Sequence, residues 1–137
     1  MKNRAFTFLA ALATIFIFSQ CTKDDEAMHE THFYTSNVNT EPLTLFVDGQ
    51  AVGALPAFST PLTCDNNMGK PLALEMNLKS GKYNLQAKDS LGIVKSGATL
   101  KVFESSGGGS SNFGETGGME ARMSGSGNSC VIVNLFY

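Results

Sequence analysis

Leu43-Thr44-Leu45-Phe46-Val47-Asp48-Gly49-Gln50-Ala51-Val52-Gly53-Ala54-Leu55-Pro56 is the stretch that decides the fold. Leu43, Leu45 and Val47 alternate with Thr44 and Phe46, the period of a strand with one face buried. Asp48-Gly49 follows at once. It is a strong two-residue hairpin signal, because both central positions of the tight turn need positive φ. Ala51 to Leu55 is then expected to return as the second arm and to stop before Pro56.

The same period continues outward. Leu72, Leu74, Met76 and Leu78 alternate, as do Tyr83, Leu85 and Ala87. A turn at Asp89-Ser90-Leu91-Gly92 leads into Ile93-Val94, and Leu100 and Val102 share a face within Ala98 to Phe103. At the C-terminus Val131, Val133 and Leu135 lie on one face and Ile132 and Phe136 on the other, a strand expected to be buried on both sides. Residues 105–118 are rich in Gly and Ser and read as a flexible loop, and Met119 to Met123 as a short helical turn. No segment after the leader carries a capped helical repeat. The expected fold is all-β, a small antiparallel β-sandwich of immunoglobulin-like or transthyretin-like kind.

Leu45 to Pro56 resembles the opening hairpin of PEGA-type and carboxypeptidase-regulatory-like modules, with a strand, a Val-Asp-Gly turn, a second glycine and a proline. Leu78-Lys79-Ser80-Gly81-Lys82-Tyr83-Asn84-Leu85-Gln86-Ala87 resembles their later strand, which follows a glycine and carries an aromatic residue. The likeness spans about 60 residues and implies a β-sandwich. It implies no activity.

The N-terminus reads as an address. Lys2 and Arg4 precede an apolar stretch from Ala5 to Phe18, the length of a signal-peptide core and short of the roughly 20 residues that span a bilayer. Ser19-Gln20-Cys21-Thr22-Lys23-Asp24-Asp25-Glu26 resembles the processing site of a bacterial lipoprotein, in which Cys21 receives the lipid and becomes the new N-terminus. Ser19 matches that pattern, while Phe18 and Gln20 depart from it. Lys23, Asp24 and Asp25 resemble the surface-export signal of Bacteroidetes-type lipoproteins. The resemblance implies a protein of the outer membrane, held by its N-terminal lipid and facing the cell exterior. Asp89-Ser90-Leu91 resembles the three-residue O-glycosylation signal of the same bacterial group, with Ser90 as acceptor.

Residues 1–20 are thus read as signal peptide, 21–32 as a lipidated flexible tether, and 33–137 as one folded domain. Cleavage leaves about 117 residues, within the usual size of a single domain. From Phe33 onward seven Lys and Arg face eight Asp and Glu, so the domain is nearly neutral and nucleic acid is not an expected partner.

With Cys21 assigned to lipid, Cys64 and Cys130 remain, an even number in an exported chain. A disulfide between them would close a loop of about 65 residues and contribute on the order of 4 kcal/mol in the chain-entropy picture. Two separately buried thiols are the alternative. A catalytic thiol lacks a partner base.

His29 and His32, the only histidines, fall in the expected tether, so no catalytic residue, cofactor or metal ligand is assigned to the domain. His29-Glu30-Thr31-His32 differs from a zinc-protease motif in having its histidines three apart and no apolar helix beneath them. Asp48, Asp65, Glu75, Asp89, Glu104, Glu115 and Glu120 are scattered, with no spacing that makes a glycosidase pair. Gly107-Gly108-Gly109 has no Lys-Ser/Thr pair after it to make a phosphate cradle. The expected role is therefore a non-enzymatic binding or accessory module, with a glycan or a protein as partner at the cell surface. Tyr34, Phe58 and Phe113 are the candidate aromatic platform for a glycan, in a chain without tryptophan. The other alternative is a pilus-type subunit whose C-terminal strand completes a neighbour's sheet.

Overall fold

The computed structural model describes residues 27–65, 70–104, 108–114 (by backbone), 117–125, 127 and 129–137. Among these described residues nine strands follow in chain order: β1 Met28–Tyr34, β2 Leu43–Val47, β3 Gln50–Leu55, β4 Leu74–Lys79, β5 Gly81–Lys88, β6 Val94–Val102, β7 Gly108–Gly114, β8 Gly117–Ser124 and β9 Cys130–Phe136. A short 3₁₀ turn at Lys70–Leu72 precedes β4. The strands form a five-stranded sheet ordered β4-β1-β9-β8-β7 and a four-stranded sheet ordered β3-β2-β5-β6. Every pairing is antiparallel except β1 with β9, which is parallel. The expected small β-sandwich is the fold.

The opening hairpin forms as its sequence dictates. Val47 pairs with Gln50, leaving Asp48 and Gly49 as the two-residue turn at φ 49° and 81°. Asp48 also fixes the turn to the next strand, since its carboxylate accepts the Asn84 N–H at 2.7 Å and its own N–H donates to the Asn84 carbonyl at 2.8 Å. A bulge at Val52 shifts the return strand by one residue. Leu43, Leu45 and Val47 face inward, and Lys88 lies over the outward Phe46 ring, 4.3 Å from its centre.

One apolar core fills the space between the sheets. Leu45, Leu85 and Leu100 from the smaller sheet meet Phe33, Met119, Val131, Val133 and Leu135 from the larger, all fully buried. On one flank the sheets are joined by Ser96, whose hydroxyl donates to the Gly118 carbonyl at 2.9 Å. On the other flank β3 meets β4, where a Cβ on Gly53 would lie 3.2 Å from Leu74 Cδ1.

Four sequence expectations are corrected. The tether read over 21–32 ends by Met28, because residues 28–34 form β1, inserted between β4 and β9. Its core-facing positions are His29, Thr31 and Phe33; Ser80 Oγ lies 3.0 Å from His29 Nε2, and Thr31 donates to the His29 carbonyl at 3.1 Å. Such pairing makes buried polar groups tolerable. Within the loop read over 105–118, residues 108–114 are strand β7, paired along β8. Backbone pairing to a ready sheet edge overrides weak local propensity. Met119 to Met123 is strand, not helix, with Met119, Ala121 and Met123 inward at period two. Leu72 belongs to the 3₁₀ turn and is exposed, so the strand that was expected to include it begins at Leu74.

Candidate functional site

Alternation along four strands builds the outer face of the larger sheet. Glu30, His32 and Tyr34 point outward from β1, opposite the core-facing His29, Thr31 and Phe33. Strand register then sets the neighbours. His32 pairs with Glu75 on β4 and Ile132 on β9, and Ile132 pairs with Arg122 on β8, giving one row across the sheet. Tyr34, Asn134 and Glu120 form the next row.

This face is not bare. The segment after β3 crosses it, and Phe58, Leu62, Cys64 and Ala73 pack on Tyr34, Cys130 and Ile132 as a second, smaller core. Thr35 holds one end of the crossing segment, donating to the Pro56 carbonyl and accepting from the Phe58 N–H, each at 2.9 Å. A disulfide between Cys64 and Cys130, with Cα atoms 6.0 Å apart, holds the other. The expected pairing of these cysteines is present. That cover is why β9 is buried on both faces, as its sequence predicts.

Beneath the edge of the cover, His32 is 2% exposed. Its Nε2 lies 2.6 Å from Glu30 Oε1, and Lys70 Nζ lies 3.7 Å from the same oxygen. The hydrogen bond with His32 holds the Glu30 carboxyl below its ordinary pKa, against an upward push from desolvation and helped by the nearby Lys70 charge. The other ring nitrogen, His32 Nδ1, is buried with no hydrogen-bond partner among the described residues. One ligand atom from each of Glu30, His32 and Glu75 lies within 4.8 Å of the other two. An imidazole and two carboxylates so placed can hold a divalent cation.

Further along the face a cleft of about 50 Å³ opens between Tyr34, Ser59, Leu62, Glu120, Arg122 and Asn134. Arg122 donates from Nε and Nη2 to Glu120 Oε1 at 2.9 and 2.8 Å, and Asn134 Oδ1 accepts the Ser36 N–H at 2.8 Å. Burial raises the Tyr34 hydroxyl pKa. A wider, open depression of about 520 Å³ lies between the β3 and β4 edges, floored by Val47, Val52, Met76 and Tyr83.

The remaining sequence candidates are dispersed. Cys21, Lys23, Asp24 and Asp25 lie outside the described residues. Ser90 is exposed in the β5–β6 turn, while the Asp89 carboxylate before it is buried and accepts the N–H groups of Leu91 and Ile93 at 2.9 and 2.8 Å. Tyr34 and Phe58 do not form an exposed platform, since their rings pack against each other with centroids 6.0 Å apart. Of Phe113 only the backbone position, in β7, is described.

Sequence reasoning missed the Glu30–His32–Glu75 group. Both histidines fall in a stretch that reads as tether, and their place in β1 removes that ground for excluding them. The signal was the alternation within Met28–Tyr34, where His29, Thr31 and Phe33 take one face and Glu30, His32 and Tyr34 the other. The chain matches no known protein family, no curated protein and no solved structure.

Proposed function

We propose that the chain is a lipid-anchored protein of the outer membrane, attached through Cys21 and facing the cell exterior, with a non-enzymatic β-sandwich that serves as a binding or accessory module. The observation that carries this reading is the pairing of Cys64 with Cys130. It fits an oxidising compartment. It also leaves Cys21, directly behind the apolar leader, as the one cysteine of the sequence outside that bond.

The early start of β1 gives the reading a geometry. Residues 22–27 can reach at most about 20 Å when fully extended. The end of the sandwich where β1 begins would then sit close to the bilayer. The opposite end collects the Asn37–Pro42 loop, the Asp89–Ile93 turn and Tyr137, and carries the exposed apolar side chains Val38, Leu91, Ile93 and Tyr137. A partner at the cell surface would meet that end first. Ser90 stands there too, and its O-glycosylation is part of the proposal. An intact mass lowered by the glycan in Ser90→Ala would support it, and an intact mass unchanged beyond the lost oxygen would count against it.

Strand donation in a pilus-type assembly finds little support, because β9 is the middle strand of its sheet, paired on both sides and bonded to Cys64. Its release would open the core.

The decisive experiment is metabolic labelling with a fatty acid. Wild type should incorporate the label and fractionate with membranes, and Cys21→Ala should do neither. Label retained in Cys21→Ala, or never present in wild type, overturns the anchored reading.

A further inference from the structure

We infer that Glu30, His32 and Glu75 form a binding site for one divalent transition-metal ion, of the class represented by zinc. The inference stands independently of the lipid anchor. Three observations converge on it. The donor set, one imidazole nitrogen and two carboxylates, suits a borderline cation with nitrogen and oxygen ligands. The three donor atoms already lie within 4.8 Å of one another. And His32, 2% exposed, keeps one ring nitrogen buried with no hydrogen-bond partner among the described residues.

That last point separates the group from a chance cluster of acids. A buried polar atom is nearly always satisfied, and an exception asks for a reason. A cation among the three groups gives the imidazole lone pair a partner.

The movements required are small. Ligand atoms around a tetrahedral zinc stand about 3.3 Å apart, from bond lengths of about 2.0–2.2 Å. The Glu30–His32 contact at 2.6 Å must open slightly, and Glu75 must approach. Both glutamates can adjust, since Glu75 is exposed and the Glu30 side chain is 47% exposed. His32 is the fixed member. Lys70 is the resident competitor, with its ammonium 3.7 Å from Glu30 Oε1. A bound ion would displace it and leave one coordination position open toward solvent. It would also join β1, the first strand after the leader, to β4.

The test uses the full chain in detergent, stripped with a chelator and titrated with zinc chloride alone. Calorimetry should show one equivalent bound, and the melting temperature should rise with zinc. Glu75→Gln should melt like wild type without metal, since Glu75 is exposed, yet bind at least tenfold more weakly and lose the zinc-dependent rise. Lys70→Met should bind more tightly than wild type. No stoichiometric binding at millimolar zinc would overturn the site. So would equal affinity in wild type and Glu75→Gln, which would put the ion on other ligands.

Discussion

Cys64 and Cys130 are bonded across a sequence separation of 66 residues, tying the first residue of the central strand β9 to the segment that covers its outer face. The bond closes most of the domain into one loop. Cys64→Ser and Cys130→Ser should each cost about 2–4 kcal/mol, and the double variant should be no worse than either single one. That non-additivity is the mark of one shared bond. Thermal melts with a free-thiol assay on the unfolded chain would show it, and two additive losses would mean two independently buried thiols.

The proposed export signal should be separable from the proposed anchor. Lys23, Asp24 and Asp25 precede β1, which begins at Met28, by only a few residues. Replacing all three with Ala should leave lipidation and the melting temperature unchanged while the protein stays on the periplasmic side. Protease shaving of intact cells reads this directly. Equal digestion of variant and wild type would reduce the run to a spacer.

How much of this was legible in the sequence depended on where each strand finds its partners. The β2–β3 hairpin announces itself, because Leu43, Leu45 and Val47 supply the period and Asp48-Gly49 the turn. β9 is equally plain, with large aliphatic side chains on both faces. β1 is hidden, since it puts His29 and Thr31 into the core and Glu30 and His32 outside, and becomes a strand only by pairing with β4 and β9. β7 is hidden for another reason: its Gly- and Ser-rich sequence has weak strand propensity, and the edge of β8 supplies the order. The candidate metal group inherits the first difficulty. Glu75 meets His32 only through the register between strands far apart in sequence.

Asp89 should give the fold a specific acid sensitivity. Burial pushes its carboxyl pKa up, but the N–H groups of Ile93 and Leu91 and the ammonium of Lys95 outweigh that and hold it below the ordinary value. A carboxyl lowered on folding contributes stability above its unfolded pKa of about 3.9, and the contribution is lost as pH falls through the folded value. Asp89→Asn keeps the turn's acceptor oxygen and removes the charge. The variant should be less stable than wild type at pH 7, and the gap should shrink as pH falls below about 4. Urea unfolding across that range measures it; a gap independent of pH would show that the charge contributes nothing.

Gly117 opens β8 at φ 98°, a conformation that side chains rarely adopt, and the chain there runs against the end of β9. A Cβ at this position would clash with the Phe136 carbonyl oxygen and stand 2.9 Å from Tyr137 Cβ. Both obstacles, and the Lys95 carbonyl oxygen at 3.0 Å, belong to the chain itself rather than to the tip of a flexible side chain, so relief requires the start of β8 to move away from β6 and the C-terminus. Gly117→Ala should therefore cost about 2 kcal/mol or more from backbone strain and displaced packing together. Gly92, at φ 80° in the open β5–β6 turn with nothing near its Cβ position, is the control. Gly92→Ala carries the backbone strain alone and should cost about 1 kcal/mol. Equal losses in urea unfolding would show that the C-terminal residues yield freely and that β8 is not braced against them.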